Sequence, residues 1–193
     1  MKIGILALQG NVREHAKILN RLNAEPVLVK LPEDLDSVDG LIIPGGESTT
    51  IGLLMEKYGL TKAIKEKSKS GLPIYGTCAG AILLANDIIG SKQPKLGLLN
   101  ISIERNAFGR QLDSFEANLN TKFGNLKGIF IRAPTIKNSN GAEVLAKYND
   151  VPVMIRQNNI LLTTFHPELA NEVKVHKYFL GMVKSHHHNI RNT

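Results

Sequence analysis

Leu72-Pro73-Ile74-Tyr75-Gly76-Thr77-Cys78-Ala79-Gly80-Ala81-Ile82-Leu83-Leu84 reads as an apolar strand, a tight turn and a helix. The frame Gly76-x-Cys78-x-Gly80 is the thiol form of a nucleophile elbow, a strained strand-to-helix turn that holds a reactive side chain clear of a sheet. Small residues flank the cysteine because such a turn brings two backbones close together. The helix that follows, expected to close at Gly90, aims its free N–H groups at the sulfur, which favours thiolate. Cys78 is the only cysteine in the chain. A lone cysteine also occurs as a small core residue, so catalysis requires a base, an orienter and an oxyanion site from elsewhere.

Outward from the elbow, strands and helices alternate. Ile3 to Leu8 is a continuous apolar run of the kind a parallel strand buried on both faces shows. Gln9-Gly10-Asn11 makes a turn, and Asn11 is the expected N-cap of a helix from Val12 to Leu22. Pro26 to Val29 reads as a second strand and Gly40 to Pro44 as a third, ending in Gly45-Gly46-Glu47-Ser48. Helices with Ile51, Leu54 and Met55 inward, then from Leu60 to Ser70, lead into the elbow strand. This order predicts an α/β fold with an open, mostly parallel sheet and helices on both faces, a flavodoxin-like three-layer sandwich. Ligands of such sheets bind beyond the carboxyl ends of the strands, where Gly45-Gly46 and Cys78 converge.

From Leu96 to Arg132 the alternation is finer and predicts shorter strands, some antiparallel, with turns at Asn106 to Gly109 and Phe123 to Leu126. Glu143 to Tyr148, Val151 to Gln157 and Asn159 to Phe165 read as a meander returning to the sheet. Asn171 to Lys184 reads as a closing helix. With 193 residues, no repeat and no low-complexity linker, a single domain over residues 1–184 is expected. Residues 185–193, with His186-His187-His188, have no apolar period and are expected to form a disordered tail.

The formal charge is +7, but the lysines are spread along helices and loops, and there is no Trp, with only four Tyr and six Phe for base stacking. A solvated basic surface is the expectation, rather than a nucleic-acid site. No apolar run approaches the ~20 residues of a membrane span and no signal-peptide pattern opens the chain. With one cysteine, the cytoplasm is the expected compartment.

Thr163-Thr164-Phe165-His166-Pro167-Glu168 follows an apolar strand. His166 has the chemistry to exchange a proton with a thiol near neutral pH, and Glu168, two residues on, can bend back to orient it and stabilise its cation. Alone, the segment also fits a His-Pro turn whose Glu starts a helix. With an elbow cysteine and a Gly-Gly loop at the same sheet edge, it reads as a triad. The N–H of Ala79 and the turn at Gly46 are the candidate oxyanion donors. Glu47 suits a substrate ammonium or a helix start; Ser48 suits a helix cap or substrate.

The elbow, the Pro-Gly-Gly loop and the late His-Pro-Glu together resemble the triad-type (class I) glutamine amidotransferases, and among them the family of glutaminase subunits of pyridoxal 5'-phosphate synthase. Further shared motifs are Leu8-Gln9-Gly10 with Glu14-His15, Gly45-Gly46-Glu47-Ser48-Thr49, Arg105-Asn106-x-x-Gly109-Arg110-Gln111-x-x-Ser114-Phe115-Glu116, and Ile131-Arg132-Ala133-Pro134. The resemblance spans residues 3 to about 182 and implies hydrolysis of L-glutamine to glutamate and ammonia. Cys78 is then the nucleophile, with His166 and Glu168. Gly46, Glu47, Ser48, Arg105, Ile131 and Arg132 hold glutamine, which fits the charges. No metal or organic cofactor is implied. The implied partner is a synthase subunit that receives ammonia through a tunnel and raises the glutaminase activity on docking, with Gln9 near that surface. Asn100 and Leu169-Ala170-Asn171 depart from the family's common residues. A cysteine peptidase and a non-enzymatic scaffold remain the alternative readings.

Overall fold

The computed structural model describes residues 1–105 and 114–191. The turn expected at Asn106 to Gly109, and the motif residues Gly109, Arg110 and Gln111, lie outside them. The apolar runs become strands: β1 (Lys2–Leu6), β2 (Glu25–Val29), β3 (Gly40–Ile43), β4 (Ile74–Thr77) and β12 (Ile160–Thr163). They pair in parallel in the order β2-β1-β3-β4-β12. This is the doubly wound order whose direction reverses between β1 and β3, and there the loops after those strands part to form a crevice.

Four further strands extend the sheet antiparallel from β12: β11 (Val151–Gln157), β10 (Glu143–Tyr148), β7 (Ser114–Thr121) and β8 (Gly124–Ile131). The expected meander is thus present. The hairpin turn between β7 and β8 is tighter than expected, with Lys122 and Phe123 at its tip and Leu126 already in β8. A second, small sheet contains β5 (Ala85–Ile89), β6 (Leu99–Glu104) and β9 (Thr135–Asn138).

Three layers result. On one face, Leu19 of α1 (Val12–Arg21) and Val175 and Phe179 of α5 (Lys174–Arg191) pack on Ile3 and Ile5. On the other, Ile51 and Met55 of α2 (Ser48–Lys57) and Ile64 of α3 (Leu60–Lys69) share a core with Leu6. Leu83 of α4 (Ala79–Leu84) and Ile103 of the small sheet join that second core. Burying branched side chains on both faces is what an unalternating apolar strand requires, at about 25 cal/mol per Å² of area removed from water.

Three expectations are corrected. The elbow helix ends at Leu84 rather than Gly90, and the chain enters β5. The Leu83 and Leu84 carbonyls, which a longer helix would commit to its next turn, accept instead from the N–H groups of Leu96 and Leu98, at 2.7 and 2.8 Å. The Asn-Asp-Ile-Ile sequence that follows is a weak helix former in any case. Secondly, the closing helix begins at Lys174, and a one-turn 3-10 helix (Glu168–Ala170) precedes it. Thirdly, α5 runs through the histidine run to Arg191, where a disordered tail from residue 185 was expected. Tertiary contacts the sequence pattern does not reveal hold it: the His186 ring fills the space beside Gly71, and His187 Nε2 lies 3.2 Å from Asp39 Oδ1. Among the described residues no helix is long and apolar enough to cross a membrane.

Candidate active site

Cys78 links β4 to α4 with φ 48° and ψ −99°. A non-glycine residue there costs on the order of 1–3 kcal/mol and persists only where its surroundings enforce it. Here the Cys78 N–H donates to the Thr163 carbonyl at 2.9 Å and the Cys78 carbonyl accepts from Ile82 N–H at 3.1 Å. Gly80 is obligatory in the turn, because a methyl on it would overlap the Ile43 carbonyl. The cysteine is 7% exposed, and its Sγ faces the Ile131 carbonyl at 3.8 Å, a weak contact. The elbow thus delivers a nearly covered thiol at the carboxyl edge of the sheet.

His166 follows β12 and is anchored by its N–H to the Ile129 carbonyl at 2.8 Å. Gly45 leaves room for its ring; any side chain there would strike the imidazole. Pro167 is helical, at φ −67° and ψ −28°, so the chain turns at once and folds Glu168 back under the ring. His166 Nδ1 and Glu168 Oε1 are 2.6 Å apart, with both side chains almost fully buried. Burial alone lowers the imidazole. The neighbouring Cys78 sulfur, then the hydrogen bond and charge of Glu168, outweigh it and raise His166 to about 10. Burial would raise Glu168, but His15 and His166 outweigh it and hold the carboxyl at about 2. The pair therefore favours imidazolium and carboxylate at neutral pH.

Two side chains beside this pair were not read from sequence as site residues. Asn11 precedes α1, yet its side chain makes no cap hydrogen bond. Its amide Nδ2 instead lies 3.2 Å from both His166 Nδ1 and Glu168 Oε1. The carboxylate is the stronger acceptor of that donor, so the expected cap is a contact to the Glu168 carboxylate. His15, one helical turn on, is fully buried with its Nε2 3.7 Å from Glu168 Oε1. The sequence offers only the Glu14-His15 motif as a signal for it.

A cavity of about 310 Å³ opens over the thiol. Cys78, Ala79 and His166 line one side; Gly46, Glu47, Ser48, Arg105, Ile131 and Arg132 line the rest, joined by Asn11, Ile82 and Leu169. All the glutamine-holding candidates thus come together, whereas Glu168 stands behind His166 and Gln9 behind the Gly46 loop. Gln9 Oε1 accepts from the Glu47 N–H at 2.8 Å. Arg132 is held at φ 44°, a second strained non-glycine residue on the cavity wall.

Glu47 resolves the choice left open by its sequence position. Its carboxylate caps α2, accepting from the N–H groups of Thr49 at 3.1 Å and Thr50 at 2.7 Å, and it also faces the cavity. Burial works to raise its pKa, but the Thr50 and Thr49 hydrogen bonds prevail and lower it. Ser48 is therefore not the cap; its Oγ donates to Gln93 Oε1 at 3.2 Å. Gln93 Oε1 also accepts from Thr49 Oγ1 at 3.4 Å and Arg105 NH1 at 2.7 Å. Arg105 NH2 reaches Glu47 Oε1 at 3.4 Å. Gln93 carried no sequence signal, since it lies in an irregular loop.

Known proteins resemble this chain over nearly its whole length. The sequence model of the SNO glutamine amidotransferase family matches residues 5–185. A Thermosipho africanus protein named pyridoxal 5'-phosphate synthase subunit PdxT is 48% identical over 187 residues, covering 95% of this chain and 100% of its own. The Geobacillus kaustophilus protein of the same name is 51% identical over 187 residues, covering 95% of each. A crystal structure described as a glutamine amidotransferase superposes with TM-score 0.92 at 47% identity, covering 94% of this chain and 98% of that one.

Proposed function

The chain belongs to the SNO glutamine amidotransferase family, and from that premise we propose that it is the glutaminase subunit of a pyridoxal 5'-phosphate synthase. It hydrolyses L-glutamine to L-glutamate and ammonia for vitamin B6 biosynthesis. Relatives named as subunits of that synthase, matched over nearly their full length, support the reading. The observation that carries it is a strained, covered Cys78 sharing one cavity with His166, which Glu168 backs, an acidic Glu47 and a basic Arg105.

The chemistry follows from those groups. The Cys78 sulfur attacks the side-chain carboxamide carbon, and the N–H groups of Ala79 and Gly46 receive the developing oxyanion. His166 protonates the departing ammonia, leaving a γ-glutamyl thioester. A water molecule, deprotonated by His166, then releases glutamate and restores the thiol. Glu168 keeps the imidazole oriented and stabilises its cation through both steps. At the other end of the substrate, Glu47 faces the α-ammonium and Arg105 the α-carboxylate, with Ser48, Ile131 and Arg132 closing around it. The Glu47–Arg105 contact keeps both charges paired until the zwitterion arrives.

These roles sit in one domain, which α5 closes, working in the cytoplasm. The ammonia passes to the synthase subunit, which docks near Gln9. Because Gln9 holds the Glu47 N–H, a partner that moves Gln9 resets the Gly46 loop and completes the oxyanion site. A glutaminase assay with and without the synthase subunit tests the whole reading. Glutamate release that rises on adding the partner is expected; no glutamine turnover in the complex, or cleavage of peptides instead, overturns it.

A further inference from the structure

Two fully buried histidines stand behind the proposed triad, and the mechanism above uses neither. His15 of α1 and His176 of α5 meet through Nδ1 and Nε2 at 2.8 Å. His15 Nε2 lies 3.3 Å from Thr77 Oγ1 and 3.7 Å from Glu168 Oε1. Two ring nitrogens at hydrogen-bond distance need one proton between them, so the tautomers of the two rings are linked. A buried carboxylate draws the His15 proton to Nε2, leaving Nδ1 to accept from His176 Nε2–H. The Glu172 carbonyl also acts on the His176 ring and favours a proton there. The charged Glu168 carboxylate is the stronger acceptor and decides the tautomer, leaving His176 Nδ1, which has no partner at hydrogen-bond geometry, with its lone pair. Burial holds both imidazoles below their ordinary range, that of His176 at about 3, so both are neutral at pH 7.

We propose that His15 is a positioning residue of the glutaminase site, its Nε2–H, set by His176, holding the Glu168 carboxylate in place behind His166. This rests on the glutaminase reading. At 3.7 Å the His15–Glu168 contact is electrostatic rather than a hydrogen bond, but between two fully buried side chains an oriented N–H dipole acts strongly on a carboxylate. The rest of the surroundings leaves Glu168 few alternatives: Oε1 takes His166 and Asn11, and Oε2 has no partner. The charged and titratable groups around His15 are Glu168 and His166 from the turn after β12, His176 from α5, Tyr75 from β4 and Glu14 on its own helix.

The test is steady-state glutamine hydrolysis in complex with the synthase subunit, alongside thermal melting of each variant. His15→Phe is expected to lower kcat about tenfold with KM within about twofold, the scale on which a residue acting through a general base is felt. It also moves the acid limb of the kcat/KM profile to higher pH, because Glu168 loses a group that favours its charge. The His166 Nδ1 proton should shift upfield in the NMR spectrum as its hydrogen bond loosens. His15→Gln, which keeps an N–H at the Nε2 end, recovers most of kcat, and adding His176→Phe to His15→Phe costs nothing more. If His15→Phe does not fold, His15→Asn, which replaces only the Nδ1 end, should show the same loss. A folded variant lacking Nε2 but with wild-type kcat and pH profile overturns the inference. So does a His15→Gln variant as slow and as unstable as His15→Phe, which would mean packing alone. Absence of glutamine turnover by the wild-type complex overturns the glutaminase reading and this inference with it.

Discussion

The two walls of the cavity are built on opposite principles. On the thiol wall, His166 and Glu168 have side chains only 4% and 0% exposed; on the facing wall, Arg105 and Glu47 are 33% and 49% exposed. The first wall is fixed by backbone: a strained elbow, strand-end hydrogen bonds and glycines that leave no room for alternatives. The second is held by side chains around Gln93 Oε1, each of which can exchange a protein partner for a substrate atom. Groups that must act on a reacting bond are preorganised, whereas groups that recognise a zwitterion must release one partner to take another. Mutations in the first wall should therefore strike kcat, and mutations in the second KM.

The sharpest attempt to break that division is Cys78→Ala. It should abolish glutamine hydrolysis while the synthase complex still consumes free ammonium salts. Loss of the ammonium-dependent reaction as well would place the defect in assembly. Next in size, Glu168→Gln should lower kcat by on the order of 10²–10³-fold, since it removes the charge that orients and stabilises the imidazolium. Stability should report the same coupling. With His166 raised from 6.5 to about 10, its contribution is complete below pH 6.5 and lost as pH rises through 10. With Glu168 lowered from 4.5 to about 2, its contribution is complete above pH 4.5 and lost as pH falls toward 2. Melting temperatures should accordingly hold between these windows and decline on both sides. Cys78→Ala and Glu168→Gln should each flatten the alkaline decline; an undiminished decline in both variants would remove the basis for a coupled site.

On the recognition wall, Arg105→Ala should raise KM for glutamine about 10- to 100-fold, the worth of one hydrogen-bonded charge, with kcat changed by less than about threefold. A fall in kcat as large as the rise in KM would erase the contrast between the walls. Smallest is Gln93→Ala. It touches no substrate atom but releases Ser48, Thr49 and Arg105 together, and a KM increase of about fivefold is expected from one lost hydrogen-bond hub. An unchanged KM would show that Glu47 alone suffices to hold Arg105.

Much of the thiol wall was legible because its signals are local. Gly76-x-Cys78-x-Gly80 encodes a turn, and His166-Pro167-Glu168 encodes a carboxylate that folds back under its own neighbour. The meander from Glu143 to Thr163 was legible from alternation. What escaped notice depends on partners distant in sequence. Asn11 looks like a helix cap until the fold sets His166 and Glu168, some 155 residues away, against its amide. The end of α4 at Leu84 is decided by the backbone of residues 96–98, and the helical course of residues 185–191 by Gly71 and Asp39.

By itself, then, the sequence determined the alternation of buried strands and helices, the elbow that brings Cys78 to the sheet edge, and the spacing that folds Glu168 back onto His166. Each is written in short-range steric and apolar patterning, which survives without knowledge of the fold. Only the tertiary structure decided how the elbow is enclosed. It closed the cavity with Glu47 and Arg105, gave Ser48 to Gln93 rather than to a helix end, and placed His15 and His176 behind Glu168. Those are polar contacts made across layers, and their geometry exists only once the apolar faces of the strands and helices have been buried against one another.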